Sequence, residues 1–278
     1  MREPLLRMEF FETYYYANIV HNVLNDTMPY LRNLNSWHEG REAWLFLRPF
    51  PKWSVLHDFA QYIIEDLIYE RLQEVSLEAI ENSRWPSLWI DQALAHHQIE
   101  TPGFRAWLKQ EKIDLADASQ DVIHDYHNEL RLTGEFDTLL TQLTNEVFYL
   151  LFGNRALLAK LNSYVSGVVD SLTRNDLAIE ERHLLRKDGI PTRTHVPEWA
   201  RRAIYFRDRG MCASCNTDLT GVISINKAEH YDHMFPLAAG GINDITNLQL
   251  LCASCNLKKG RRMLPTSTNY QSWYASDA

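Results

Sequence analysis

Two stretches decide the fold: residues 195–221, HVPEWARRAIYFRDRGMCASCNTDLTG, and residues 230–260, HYDHMFPLAAGGINDITNLQLLCASCNLKKG. They contain all four cysteines of the chain, as two C-x-x-C pairs, Cys212/Cys215 and Cys252/Cys255. Paired C-x-x-C without a secretion signal points to a metal site before disulfides. Four thiolates in a tetrahedron suit Zn²⁺, and a site closed by four cysteines is structural. A disulfide pair or an iron site is the alternative. Cys215 and Cys252 are separated by 36 residues, more than a simple finger requires. Something is therefore mounted between the knuckles, and Asp232, His233 and Asn247 lie in that interval.

Around these pairs the sequence is one of short elements. It predicts a helix over 197–208, strands near 222–225, 230–235 and 248–252, and a last helix from about Ser254. Such a small region cannot build its own core, so a bound metal would hold it.

In order and spacing, the basic helix ending in Arg207-Asp208, the two knuckles, Asp232-His233, Pro236-Leu237, Gly240-Gly241, Asn247-Leu248, Asn256 and Lys259-Gly260 resemble the HNH endonuclease family in its four-cysteine zinc form. The likeness covers about residues 195–263. It implies a small α+β domain of ββα-metal type with a treble-clef-like zinc. It also implies a metal-dependent endonuclease that hydrolyses phosphodiester bonds. His233 would then be the general base, and Asp232 and Asn256 would hold a catalytic Mg²⁺ or Mn²⁺. Asn247 would support the loop that carries the base. The family's usual last letter is His, so Asn256 makes this an H-N-N variant. Lys258, Lys259, Arg261 and Arg262 form a basic cluster suited to phosphate contact, and Arg201, Arg202, Arg207 and Arg209 invite the same reading. An imidazole at its ordinary pKa of about 6.5 predicts cleavage rising between about pH 6 and 8. Adjacent strand residues face opposite sides, so Asp232 and His233 can address one phosphate only where the strand bends or ends.

Working outward, residues 191–278 hold ten Lys+Arg and seven Asp+Glu, a net of +3. Residues 1–190 then hold eighteen and twenty-nine, a net of −11. A phosphate backbone is repelled by the acidic part and can meet the basic one. The texture changes at Asp188-Gly189-Ile190-Pro191, which divides the chain into an acidic, all-helical domain at 1–190 and a zinc-bound domain at 191–278. In the first, apolar spacing predicts helices over about 4–25, 54–80, 101–112, 118–132, 135–152 and 154–174, with Ser54 and Thr101 as N-caps and Gly134 and Gly153 as stops. This domain is expected to regulate, recruit or oligomerise, through a protein partner or a second copy. Its tryptophans and Tyr14–Tyr16 read as core rather than a base-stacking platform.

The densest apolar run, Val147–Phe152, is far short of the roughly 20 residues a membrane span needs. The N-terminus has no signal-peptide core, so a soluble cytoplasmic protein is expected. DNA is the expected substrate, with RNA left open. The layout is similar to restriction and anti-phage defence nucleases. The alternative is a catalytically silent zinc module that binds nucleic acid or protein.

Overall fold

A computed structural model describes residues 6–75, 88–221, 229–260, 262 and 266–270. Eleven α-helices and four strands lie among the described residues: α1 (Thr13–Asn25), α2 (Leu31–Glu39), α3 (Trp44–Leu47), α4 (Val55–Gln73), α5 (Trp89–His96), α6 (Phe104–Glu111), α7 (Gln120–Thr133), α8 (Glu135–Leu151), α9 (Arg155–Asp170), β1 (Leu185–Lys187), β2 (Ile190–Pro191), α10 (Glu198–Arg207), β3 (Glu229–His233), β4 (Leu248–Cys252) and α11 (Ala253–Lys259). The expected fold class holds: a mainly helical chain with a small α+β region at the C-terminus. The strand expected at 222–225 lies outside the described residues.

The chain divides into two compact units that interleave in sequence. One comprises residues 1–20 and 59–149; the other comprises 21–58 and 150–278. In the first unit, Tyr16, Phe59, Ile64, Ile68, Leu94, Phe104, Tyr126, Phe136 and Val147 are almost fully buried. Each contributes about 1.5–3 kcal/mol of hydrophobic stabilisation.

Local signals set several helix ends as expected. Ser119 caps α7 by accepting from the Val122 amide, and Gly134 closes it in the left-handed region. Asn154 caps α9 by accepting from the Leu157 amide. Two helices start later than their apolar spacing predicts. The first begins at Thr13 rather than near residue 4. The buried Glu146 carboxylate accepts from the Glu9 amide (2.6 Å) and the Phe10 amide (3.1 Å), and from the Thr13 hydroxyl, holding residues 9–12 out of a helix. Phe10 and Glu12 accordingly take positive φ. The helix expected from Thr101 begins at Phe104, whose amide is taken by Asp91 on α5 at 3.2 Å. In both cases a distant carboxylate wins over the local cap.

In the second unit, β3 and β4 form an antiparallel pair from Glu229↔Cys252 to His233↔Leu248, and α11 follows directly. This is the ββα element. Every residue of β4 is buried. The Arg207 guanidinium donates to the Leu248 carbonyl at 2.7 Å, and the Leu250 amide donates to Asp208 at 2.9 Å, tying α10 to β4. Asp208 also takes Arg155 of α9 at 3.2 Å, and Arg155 holds the carbonyls of Ser267 and Asn269. Arg207 is therefore a buried structural cation rather than a surface phosphate contact.

The loop between β3 and β4 is equally enclosed. The Phe50 amide donates to the Asn243 carbonyl (2.7 Å), the Val55 amide to Asp244 (3.1 Å), and the Asn162 amide to Thr246 (3.2 Å). Asp244 thus caps the start of α4, where the sequence alone suggests Ser54. Gly240 takes φ +77°, and a Cβ there would run into the Ser166 carbonyl of α9. A Cβ on Gly241 would run into the Phe235 carbonyl. Only glycine fits this turn at both positions.

Candidate functional site

The four cysteine sulfurs lie within 4.8 Å of one another, and all four are free thiols. Cys215 and Cys252 Sγ are 3.8 Å apart. That separation is far too long for a disulfide, and it matches the edge of a tetrahedron with bonds of about 2.3 Å to Zn²⁺. The first knuckle is fixed to the sheet by the Ala213 amide, which donates to the Leu250 carbonyl at 2.8 Å. The second forms the junction of β4 and α11. Burial opposes ionisation at all four thiols. The Ser254 hydroxyl, the Cys255 amide and the Cys255 and Cys215 thiols overcome it at Cys252, whose pKa falls to about 6. Burial and the neighbouring cysteines push Cys255 up to about 12. Four thiolates cannot coexist at this spacing without a cation, so the donor set fits a structural divalent metal such as zinc. Among the described residues, this is the group of three or more Cys, His, Asp and Glu side chains close enough to hold one. Stripping the metal with a strong chelator, or replacing Cys252 by serine, is expected to lower the melting temperature by about 10 °C or more, read by circular dichroism alongside zinc content.

On β3, His230 and Asp232 share one face, and His233 ends the strand on the other. Asp232 and His233 nevertheless line one cavity of about 350 Å³, because the strand stops at His233 and the chain turns away through Pro236. His233 is buried, and its ring Nε2 lies 3.3 Å from Asn243 Oδ1. The Asn243 amide nitrogen donates to the Thr192 carbonyl at 2.8 Å. That bond fixes the amide's orientation, so Oδ1 accepts from His233 Nε2–H and Nδ1 keeps the lone pair. Burial pushes the His233 pKa down to about 4. The charges of Arg193 and Lys259 push the same way; Asp232 and Asn243 oppose them. The imidazole is therefore neutral well below pH 6.

Asn247 is fully buried, and its side chain crosses the loop. Oδ1 accepts from the Phe235 amide (2.8 Å), and Nδ2 donates to the carbonyls of Phe235 (3.0 Å) and Ile242 (2.9 Å). Asn256 on α11 places Nδ2 3.3 Å from His230 Nδ1. Lys259 is not a surface cation. It is buried, with Nζ 2.8 Å from Asp232 Oδ2 and 2.7 Å from the His233 carbonyl. Lys258 and Arg262 are exposed, and Arg261 lies outside the described residues. The carboxylate of Asp232 and the amide oxygen of Asn256 are hard donors, which suits Mg²⁺ or Mn²⁺. Asn243, together with Arg186, Lys187 and Arg193 on the cavity wall, escaped the sequence reading. Asp188-Gly189, expected only as a domain boundary, is the turn of a hairpin whose residues line this cavity.

Residues 212–262 match the family model described as HNH endonuclease. The N-terminal region matches no family. The chain thus carries an HNH domain, and that domain points to a nuclease-type function that acts on nucleic acid. A search of curated proteins and a search of solved structures each found no match. No described helix is long and apolar enough to cross a membrane.

Proposed function

We propose that this protein is a metal-dependent endonuclease that hydrolyses phosphodiester bonds in DNA, with His233 as general base. The observation that carries the reading is a buried imidazole, held by Asn243, lining the same cavity as Asp232. His233 Nδ1 accepts a proton from the attacking water, whose oxygen bonds to phosphorus as the P–O3′ bond breaks, and the departing 3′ oxygen takes a proton from solvent to become the 3′ hydroxyl. Asp232 and Asn256 are the residues that would hold a divalent ion, which supplies positive charge against the negative charge developing on the phosphate. Lys259 balances the Asp232 carboxylate and, through the His233 carbonyl, fixes the backbone beneath the base. Asn247 keeps the loop closed over it. Lys258, Arg261 and Arg262 follow on α11 and beyond, and fit phosphate contact.

The lowered pKa of His233 changes the expected pH dependence. A base at its ordinary value would give a rise between pH 6 and 8. Burial depresses this one to about 4, so its neutral, competent form is present across that range and is lost only as pH falls towards 4. Single-turnover cleavage is expected to be flat from pH 6 to 8, with its acid limb between about pH 4 and 5. A rise centred near 6.5 would contradict this environment for the base.

Residues 1–190 are proposed to regulate or recruit this activity, through a partner or a second copy. An acidic helical region joined to such a module fits restriction or defence against phage. The test of the activity is a cleavage assay with supercoiled plasmid and single-stranded RNA, in Mg²⁺, Mn²⁺ or EDTA. Plasmid cutting that needs the divalent ion is the expected result. Absence of cutting under every condition would favour a silent zinc module, and cutting of RNA alone would move the substrate.

A further inference from the structure

The cavity that holds Asp232 and His233 has a second wall, formed by residues upstream of the matched segment. The hairpin of β1 and β2, with the residue pair that follows it, contributes Arg186, Lys187, Ile190, Pro191 and Arg193. The hairpin is anchored at three points. Leu185 is fully buried. Gly189 (φ +67°) donates its amide to the Leu172 carbonyl at 2.8 Å, and a Cβ there would strike the backbone of Asp170. The Thr192 carbonyl accepts from Asn243, whose other side-chain atom contacts His233. One asparagine therefore ties the hairpin to the imidazole, so the two keep a fixed spacing.

Charge on this wall is one-sided. The residues lining the cavity include four cations (Arg186, Lys187, Arg193, Lys259) and one carboxylate (Asp232), in a chain of net charge −8. Lys259 is matched by Asp232. The other three are exposed, and among the described residues no carboxylate holds any of them. Three solvated cations beside a neutral imidazole would repel one another with no ligand present. An anion with several phosphates, running past the base, would relieve that repulsion.

We infer that Arg186, Lys187 and Arg193 form a phosphate-binding wall that grips the substrate backbone beside His233. The inference rests on the nuclease reading and deepens it. The guanidiniums of Arg186 and Arg193 suit bidentate contacts to phosphate oxygens, and Lys187 adds a point charge. These contacts position the strand and carry no sequence preference.

The test measures binding by the full chain in the His233→Ala background, so that cutting is slow on the timescale of the titration. Fluorescence anisotropy with a labelled 30-base-pair duplex gives Kd over a range of salt. The triple variant Arg186→Ala/Lys187→Ala/Arg193→Ala is expected to weaken binding by about ten- to a hundredfold, and to make the slope of log K against log salt shallower by roughly 2–3. Arg105→Ala/Lys109→Ala, on α6, is the control, expected to change Kd less than about twofold. A set of glutamine replacements at the three positions covers the case in which the alanine protein does not fold. Cleavage by Arg186→Ala/Lys187→Ala in the active background is expected to show raised KM with kcat within about threefold. If the background protein binds the duplex and the triple variant binds it equally, with the same salt slope, the wall is overturned. If the background protein binds neither the duplex nor a single-stranded RNA, the nuclease reading itself falls.

Discussion

Replacing His233 by alanine is expected to reduce cleavage by about 10²–10⁴-fold, the usual worth of a positioned general base. The size of the loss depends on what else could take the proton. His230 is on the opposite face of β3 from His233, and its Nδ1 is engaged with Asn256. Asp232 is paired with Lys259. Neither is placed to substitute, so the loss should not be rescued by raising the pH within the neutral range. The substitution also empties a buried site and leaves Asn243 Oδ1 without its partner, at a cost of about 1–3 kcal/mol. The variant must therefore be compared at equal zinc content and below its own melting temperature. A folded, zinc-loaded variant that cuts like the parent would remove His233 from the mechanism.

A fragment spanning residues 191–278, which contains every matched residue, is expected not to fold on its own. The loop between β3 and β4, and Asp208 beside the sheet, are held by chain from outside that range. Arg155 pairs with Asp208, which holds α10 to β4. Phe50, Val55 and Asn162 bond to Asn243, Asp244 and Thr246. Gly240 packs against α9. Cutting these away takes Arg155 from Asp208, the Val55 amide from Asp244 and the Asn162 amide from Thr246, and uncovers the loop between β3 and β4, with about 1–3 kcal/mol lost at each buried polar group left short of a partner. Near-UV circular dichroism and zinc retention would show it: the fragment should lack a cooperative transition that the full chain displays. A fragment that folds and cuts would mean that the metal alone is sufficient to hold the module.

Some elements were legible because their signals are local. The knuckles, β4 at Leu248–Cys252, the ends of α7 and α8 and the start of α9 follow from spacing, caps and glycines within a few residues. The start of α1 was not legible, since Glu146 withholds the amides of Glu9 and Phe10 from across 130-odd positions. Helices α2, α3 and α5 carried no apolar pattern long enough to read.

The sequence by itself determined the metal site and the module. Two C-x-x-C pairs leave few structures that four thiols can share, and the Asp-His, Gly-Gly, Asn and Cys-Asn positions between and after them follow one order. Tertiary structure alone decided how the site is built around that module. It brought the start of α4, the middle of α9 and a hairpin from outside the matched segment onto one loop. It thereby gave His233 a burial that keeps it neutral and an asparagine that sets its tautomer. Those properties depend on which groups enclose the imidazole, and enclosure is a matter of long-range packing that no local spacing records.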